Sequence, residues 1–268
     1  MDTAIDLPPV GLGTMGLDGD EGARAVETAL RLGYRHLDTA QVYENEATVG
    51  AGLAAAAEAA EAGVVAREDV TVATKTWIDR LAPDDVRPST GASLNRLGLD
   101  AVDLLYVHRP KGGYDPAGTL AAFDELVDDG LVGHVGVSNF ERDELDGTID
   151  LLDAPLAAHQ TEYHPLFQRP ALREHAVGHG YPLVAYSPLA GGRVREIEAV
   201  RAVAEKHDAT PEAVSIAWLT DKEGVVTIPK ASSERHLRAN LAAADLDLDA
   251  EDHERIDGVE REEELFPE

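Results

Sequence analysis

Residues 33–46 read GYRHLDTAQVYENE. A short apolar run ending on Asp38 follows the helix-like stretch ARAVETALRLGY, and the polar AQVYENE behind it has loop chemistry. The segment therefore predicts helix, buried strand and loop in succession. Tyr43 lies five residues beyond Asp38, so a phenol and a carboxylate are expected at one strand mouth.

The same alternation recurs on both sides of this segment. VGLGT at 10–14 precedes helical material from Glu21 to Leu32. An alanine-rich helix is expected over 46–62, a β-branched strand over 70–74 ending at Lys75, a helix to about Leu97 capped by Asp84 or Asp85, and a strand over 103–107 ending at His108. Helix 120–128 stops at Gly130, as a C-terminal glycine predicts, and HVGVS at 134–138 is the next strand. A helix starts near Glu141. Strands at 154–160, 181–186 and 225–229 complete the series, with helices around 170–179, 196–206, 211–221 and 232–243. Eight strand-like runs in 268 residues leave about 33 residues per unit, the size of a strand, loop and helix with short connections. One α/β domain over residues 1–268, a (β/α)8 TIM barrel, is the economical solution. GLGTMG at 11–16 is only a partial match to a dinucleotide-binding glycine loop, and it reads better as a tight turn at the first strand's end.

A barrel collects its chemistry at the carboxyl ends of its strands. Those ends hold Asp38, Lys75, His108, Ser138 with Asn139, Gln160, Tyr186 with Ser187, and Lys230. Each has an ordinary explanation as a cap or a solvated terminus, but independent caps would not all fall on one rim. Two of only five lysines, Lys75 and Lys230, end strands.

Tyr, Lys, Asp and His around one pocket suit reduction of a carbonyl by a hydride donor, because the alkoxide that forms needs a proton. A free phenol has a pKa of about 10, so an ammonium beside it is expected to draw that value toward neutrality, and a carboxylate paired with the ammonium would hold it in place. Tyr43, Lys75 and Asp38 fit these roles, with His108 donating to or orienting the carbonyl.

The motifs GYRHLDTAQVYENE, VATKTW, LLYVHRP, GVSNF, HQTEYHP, AYSPLA and IPKASS together make the chain resemble the aldo-keto reductases over nearly its entire length. That resemblance implies a (β/α)8 barrel and a catalytic tetrad on Asp38, Tyr43, Lys75 and His108, with Tyr43 as proton donor. It also implies a nicotinamide cofactor held without a Rossmann fold. Ser138, Asn139 and Gln160 would bond the carboxamide, Tyr186 would stack on the ring, and Gly13, Thr14 and Asp38 would complete that end. Ser187, Leu189 and the turn at 191–193 would run under the pyrophosphate. Lys230, Ser232, Ser233, His236 and Asn240 would hold the adenosine end.

His236 stands where many relatives carry an arginine for the 2′-phosphate. Lys230 and the two serine hydroxyls still form a phosphate site, so NADP (as NADPH) is preferred, with use of NAD left open. The expected substrate pocket is Met15, Trp77, His108 and Arg109, with Phe140 as a further apolar wall. Arg109 replaces a common tryptophan; it either greets an anionic substrate or turns outward to surface acids. The N-terminus is too short for a floor hairpin and the tail after Asp257 is brief and acidic, so neither is expected to supply a substrate loop.

Composition bounds the rest. Against 23 lysines and arginines stand 51 aspartates and glutamates, a net charge of −28 that argues against nucleic acid or an anionic membrane as partner. The partner expected is a small-molecule carbonyl, the protein is a monomer by default, and no metal is expected, since the ten histidines are scattered. No cysteine is present, no apolar run nears membrane-spanning length, and no secretory signal is recognisable, so the cytoplasm is the expected location. Abundant acid, little lysine and much alanine resemble proteins of salt-accumulating cytoplasms, in which molar salt shortens the Debye length to about 3 Å and screens self-repulsion. The competing readings are a nicotinamide-sensing regulator with little turnover and a metal-dependent barrel hydrolase.

Overall fold

The computed structural model describes residues 5–58 and 65–267. Eight strands, β1 (Leu12–Gly13), β2 (His36–Asp38), β3 (Thr71–Thr76), β4 (Val102–Val107), β5 (Val132–Ser138), β6 (Leu156–Glu162), β7 (Leu183–Tyr186) and β8 (Val225–Thr227), pair in parallel and in chain order. Val10 bridges in parallel to Thr227, and the Gly11 N–H donates to the Thr227 carbonyl at 2.8 Å, so the sheet closes on itself. The helices are α1 (Gly19–Leu32), α2 (Glu46–Glu58), α3 (Pro83–Leu97), α4 (Pro116–Asp128), α5 (Arg142–Leu151), α6 (Pro170–His179), α7 (Glu198–Lys206), α8 (Pro211–Thr220), α9 (Glu234–Ala242) and α10 (Ala250–Asp257).

Strand periodicity divides the core in two. Leu37, Val72, Leu105, Val107, Val135 and Val137 face the helices, while Ala73, Leu104, Tyr106, Ala158, Val184, Val226 and Ile228 cluster inside the barrel. Gly136 makes room for that interior: a Cβ there would lie 2.6 Å from the Tyr106 ring. Ile5 and Leu7, ahead of β1, join the interior cluster.

Several boundaries differ from expectation. β6 runs two residues further, to Glu162, and α3 starts at Pro83, so Asp84 and Asp85 occupy its first turn and Ala82 its N-cap. The expected continuation of α2 to Ala62 lies outside the described residues. The sequence reading does not anticipate α10, which opens on a capping box: Asp249 Oδ1 accepts the Asp252 N–H and Asp252 Oδ2 accepts the Asp249 N–H, each at 3.1 Å.

Candidate active site

At the carboxyl rim a cavity of about 760 Å³ is lined by Asp38, Tyr43, His108, Ser138, Asn139, Gln160 and Tyr186, as the strand-end argument requires. Gly13, Thr14, Met15, Trp77, Arg109, Ser187, Leu189 and Lys230 also line it. Lys75 does not reach the surface of the cavity, because its side chain is wholly buried beneath it.

The floor is a hydrogen-bonded unit. The Lys75 ammonium donates to Asp38 Oδ1 and, at 2.9 Å, to the Thr39 carbonyl, while Gln160 Nε2 donates to Asp38 Oδ2 at 2.7 Å. Asp38 and Lys75 are both out of water, so each needs the other as counter-ion. Gln160 therefore orients the carboxylate in addition to facing the cavity. Lys75 Nζ lies 5.1 Å from the centroid of the Tyr43 ring.

The loop carrying Tyr43 is fixed by Asn45. Its Nδ2 donates to the Thr14 and Leu17 carbonyls at 2.7 and 3.1 Å, and its Oδ1 accepts from Thr39 Oγ1 at 3.0 Å. Gln41 Oε1 accepts the Trp77 N–H at 3.0 Å, tying the same loop to the end of β3. Trp77 in turn stacks edge-on against His108, with ring centroids 4.8 Å apart.

Electrostatics correct one expectation. Burial pushes the Tyr43 phenol up from its ordinary pKa; Lys75 pulls it back down and Asp38 adds to the rise, with the net direction upward. The expected drift toward neutrality is absent because desolvation of the phenolate outweighs the ammonium. His108 is pushed down to about 2 by burial and by the charges of Lys75 and Arg109, so its imidazole is neutral. Lys75 is held above the usual lysine value, its burial being overcome by Asp38 and Tyr43.

On the opposite wall Asn139 Nδ2 donates to the His108 carbonyl and to Ser138 Oγ, both at 3.0 Å, and Asn139 Oδ1 accepts from the Tyr186 hydroxyl at 2.8 Å. Asn139 and Ser187 both adopt left-handed backbone, with φ of 60° and 52°. Such conformations are disfavoured for residues with side chains, by about 1–2 kcal/mol, and they gather where function demands them. Gly191 and Gly192 are also left-handed, and a Cβ at Gly192 would meet nothing within 4 Å.

Not every residue singled out from the sequence lines the cavity. Phe140 is buried against Tyr114, with ring centroids 5.6 Å apart, and walls no part of the cavity. Ser232, Ser233 and His236 are exposed at the start of α9, beyond Lys230 and outside the cavity lining, and Asn240 is buried in that helix. Ser233 caps α9 by accepting the His236 N–H at 3.4 Å. Arg109 stands on the cavity wall.

The C-terminal tail overturns the expectation that it stays clear of the pocket. Glu162, buried at the end of β6, accepts the Leu265 N–H at 2.7 Å and the Phe266 N–H at 3.0 Å, and bonds His164 Nε2 at 2.7 Å. Phe266 thereby lines the cavity, edge-on to Tyr186 at 5.8 Å, with its carbonyl 3.5 Å from Arg109 Nη2. The Glu263 N–H donates to the Leu166 carbonyl at 2.7 Å and Glu263 pairs with Arg193, fastening the tail upstream.

A profile of the Aldo/keto reductase family matches residues 9–261. The chain belongs to that family. It is 38% identical over 256 residues to methylglyoxal reductase DkgB of Salmonella typhi, covering 94% of this chain and 92% of the relative. It is 34% identical over 265 residues to glyoxal reductase of Bacillus subtilis, covering 98% and 92%. Among solved structures, the aldose reductase of Schistosoma japonicum superposes with a TM-score of 0.91 at 30% identity, covering 99% of this chain and 93% of the other. MGS-M4, an aldo-keto reductase from a Medee basin deep-sea metagenome library, superposes with a TM-score of 0.89 at 32% identity, covering 98% and 95%. Aldo/keto reductases are oxidoreductases that act on small carbonyl compounds, and the eight-stranded closed barrel found here is their fold.

Proposed function

We propose that the protein is an NADPH-dependent reductase of small aldehydes and 1,2-dicarbonyls, with Tyr43 as proton donor. The observation that carries this reading is the buried Lys75–Asp38 pair set directly beneath the Tyr43 ring at the floor of the cavity.

Groups along the cavity support this choice of cofactor. Ser138, Asn139 and Tyr186 form a connected polar wall for the carboxamide and ring, the open backbone at Gly192 admits a pyrophosphate closely, and Lys230 provides a cation further along. When bound, the cofactor supplies the hydride.

The protein's own residues do the rest. Tyr43, its phenol pushed up by burial, keeps its proton until negative charge develops on the substrate oxygen, then donates it. Lys75 stabilises the phenolate left behind, and Asp38, held by Gln160, keeps the ammonium in place. His108 is neutral, so its single N–H is available to orient the carbonyl and it does not compete as an acid. Arg109 and Phe266 shape the outer pocket, and the arginine favours substrates that carry an anionic or strongly polar group near the carbonyl. The NADPH preference rests on Lys230 together with Ser232, Ser233 and His236 at the start of α9, where backbone N–H groups and side chains suit a 2′-phosphate.

The test is NADPH oxidation by the purified chain in molar KCl with methylglyoxal, glyoxal and monoaldehydes. Consumption of NADPH that depends on the carbonyl is expected. No turnover with any of them would remove the reductase reading, and a clear preference for NADH would remove the NADPH part alone.

A further inference from the structure

Away from the cavity, the fold brings together three ligand-type side chains that the proposed reaction does not use. Asp146 on α5 and His175 and His179 on α6 each offer one ligand atom, all within 4.8 Å of one another. The two histidines lie four apart on one helix and so share a face, with near-parallel rings 4.2 Å apart.

Hydrogen bonding prepares both rings. His179 Nδ1 lies 2.9 Å from the His175 carbonyl, which can only accept, so the proton sits on Nδ1 and Nε2 carries the lone pair. His175 is buried, and its Nδ1 lies 2.7 Å from the Tyr181 hydroxyl while its Nε2 lies 2.9 Å from Asp146 Oδ1. A tyrosine hydroxyl can donate or accept, so Tyr181 supports His175 whether its Nε2 holds a proton or a cation. Ligating histidines characteristically have their other nitrogen bonded in this way, which fixes the ring.

We propose that Asp146, His175 and His179 bind a divalent transition-metal ion of the zinc or nickel type, tying α5 to α6. Two imidazoles and a carboxylate suit these ions over magnesium or calcium, which prefer all-oxygen sets. Bonds of about 2.0–2.2 Å put tetrahedral ligand atoms about 3.4 Å apart. The buried His175 is the fixed member, while Asp146 and His179, both exposed, turn in to close the remaining gap, and water takes the fourth position. A net charge of −28 raises the concentration of cations near the whole surface.

The site lies on the opposite side of the barrel from the carbonyl chemistry. His179 ends α6, and Tyr181 leads into the start of β7, whereas Tyr186 in the cavity wall ends that strand. The ion therefore cross-links the scaffold and touches no residue assigned to reduction.

The experiment is a calorimetric titration of the metal-stripped full chain with Zn²⁺ in molar KCl, with thermal melts in parallel. One equivalent is expected to bind with a micromolar Kd, raising Tm by about 5–10 °C at a hundredfold excess over Kd. His179→Ala and Asp146→Asn, both at exposed positions, should each weaken binding at least tenfold and leave carbonyl reduction and the metal-free Tm unchanged. Absence of Zn²⁺ binding, or binding equally strong in both variants, overturns the proposal.

Discussion

Replacing Lys75 by methionine removes one charge from a pair that is almost entirely out of water, with side-chain exposures of 0% for Lys75 and 2% for Asp38. The Asp38 carboxylate is then left with the Gln160 amide, and the Thr39 carbonyl loses its donor. Removing one partner of a buried ion pair costs about 3–5 kcal/mol. At about 2–4 °C per kcal/mol for a domain of this size, Tm should fall by roughly 6–20 °C. Adding Asp38→Asn removes the stranded charge, so the double variant should recover most of that loss, with a coupling of at least about 2 kcal/mol between the two sites. Reduction should not recover, because no ammonium is left to stabilise the Tyr43 phenolate. The assay is thermal and urea unfolding of both single variants and the double in molar KCl, with carbonyl reduction measured on the same preparations. Additive losses of stability, or reduction retained in Lys75→Met, would refute the reasoning.

Three further outcomes follow from the same structure. His36, His108 and His159 are buried with pKa values pushed down to about 4, 2 and 3, chiefly by desolvation. The unfolded chain binds these protons near pH 6.5 and the folded chain does not, so stability should drop by up to about 4 kcal/mol per pH unit between pH 6 and 4; urea midpoints in molar KCl that do not move from pH 7 to 5 would contradict this. Glu162→Gln replaces a carboxylate that accepts two tail N–H groups, at about 1.5–3 kcal/mol each, so trypsin cleavage after Arg261 should quicken at least tenfold and carbonyl KM should rise as Phe266 leaves the pocket; an unchanged cleavage rate would sink the clamp. With a net charge of −28, Tm should climb from dilute buffer to molar KCl, and equal melts in both would dismiss the salt requirement.

Much of the site is legible because a parallel barrel gathers strand ends on one rim: Asp38, His108, Ser138 and Gln160 need only the positions of their strands to be brought together. Legibility fails where polarity hides structure. The apolar run in β6 stops at Ala158, yet the strand continues through Gln160, which faces the cavity, to Glu162, which holds the tail, so periodicity ends the element two residues early. Phe266 carries no local signal at all. Its place depends on backbone N–H groups reaching a carboxylate more than 100 residues away in sequence. The α10 capping box, Asp249 with Asp252, has a readable spacing, but among so many acids that spacing does not stand out as a helix start. The direction of the Tyr43 shift could not be read either, because desolvation is a property of the folded neighbourhood and the sequence shows only which charges are near.

The central claim is that Tyr43 delivers the proton from above the Lys75–Asp38 pair. Its most direct test is Tyr43→Phe, assayed for NADPH binding by fluorescence and for methylglyoxal reduction in molar KCl. The variant should bind NADPH within about threefold of the parent while reduction falls by a factor of at least about 10². Reduction at the parental rate with cofactor binding intact would contradict the assignment.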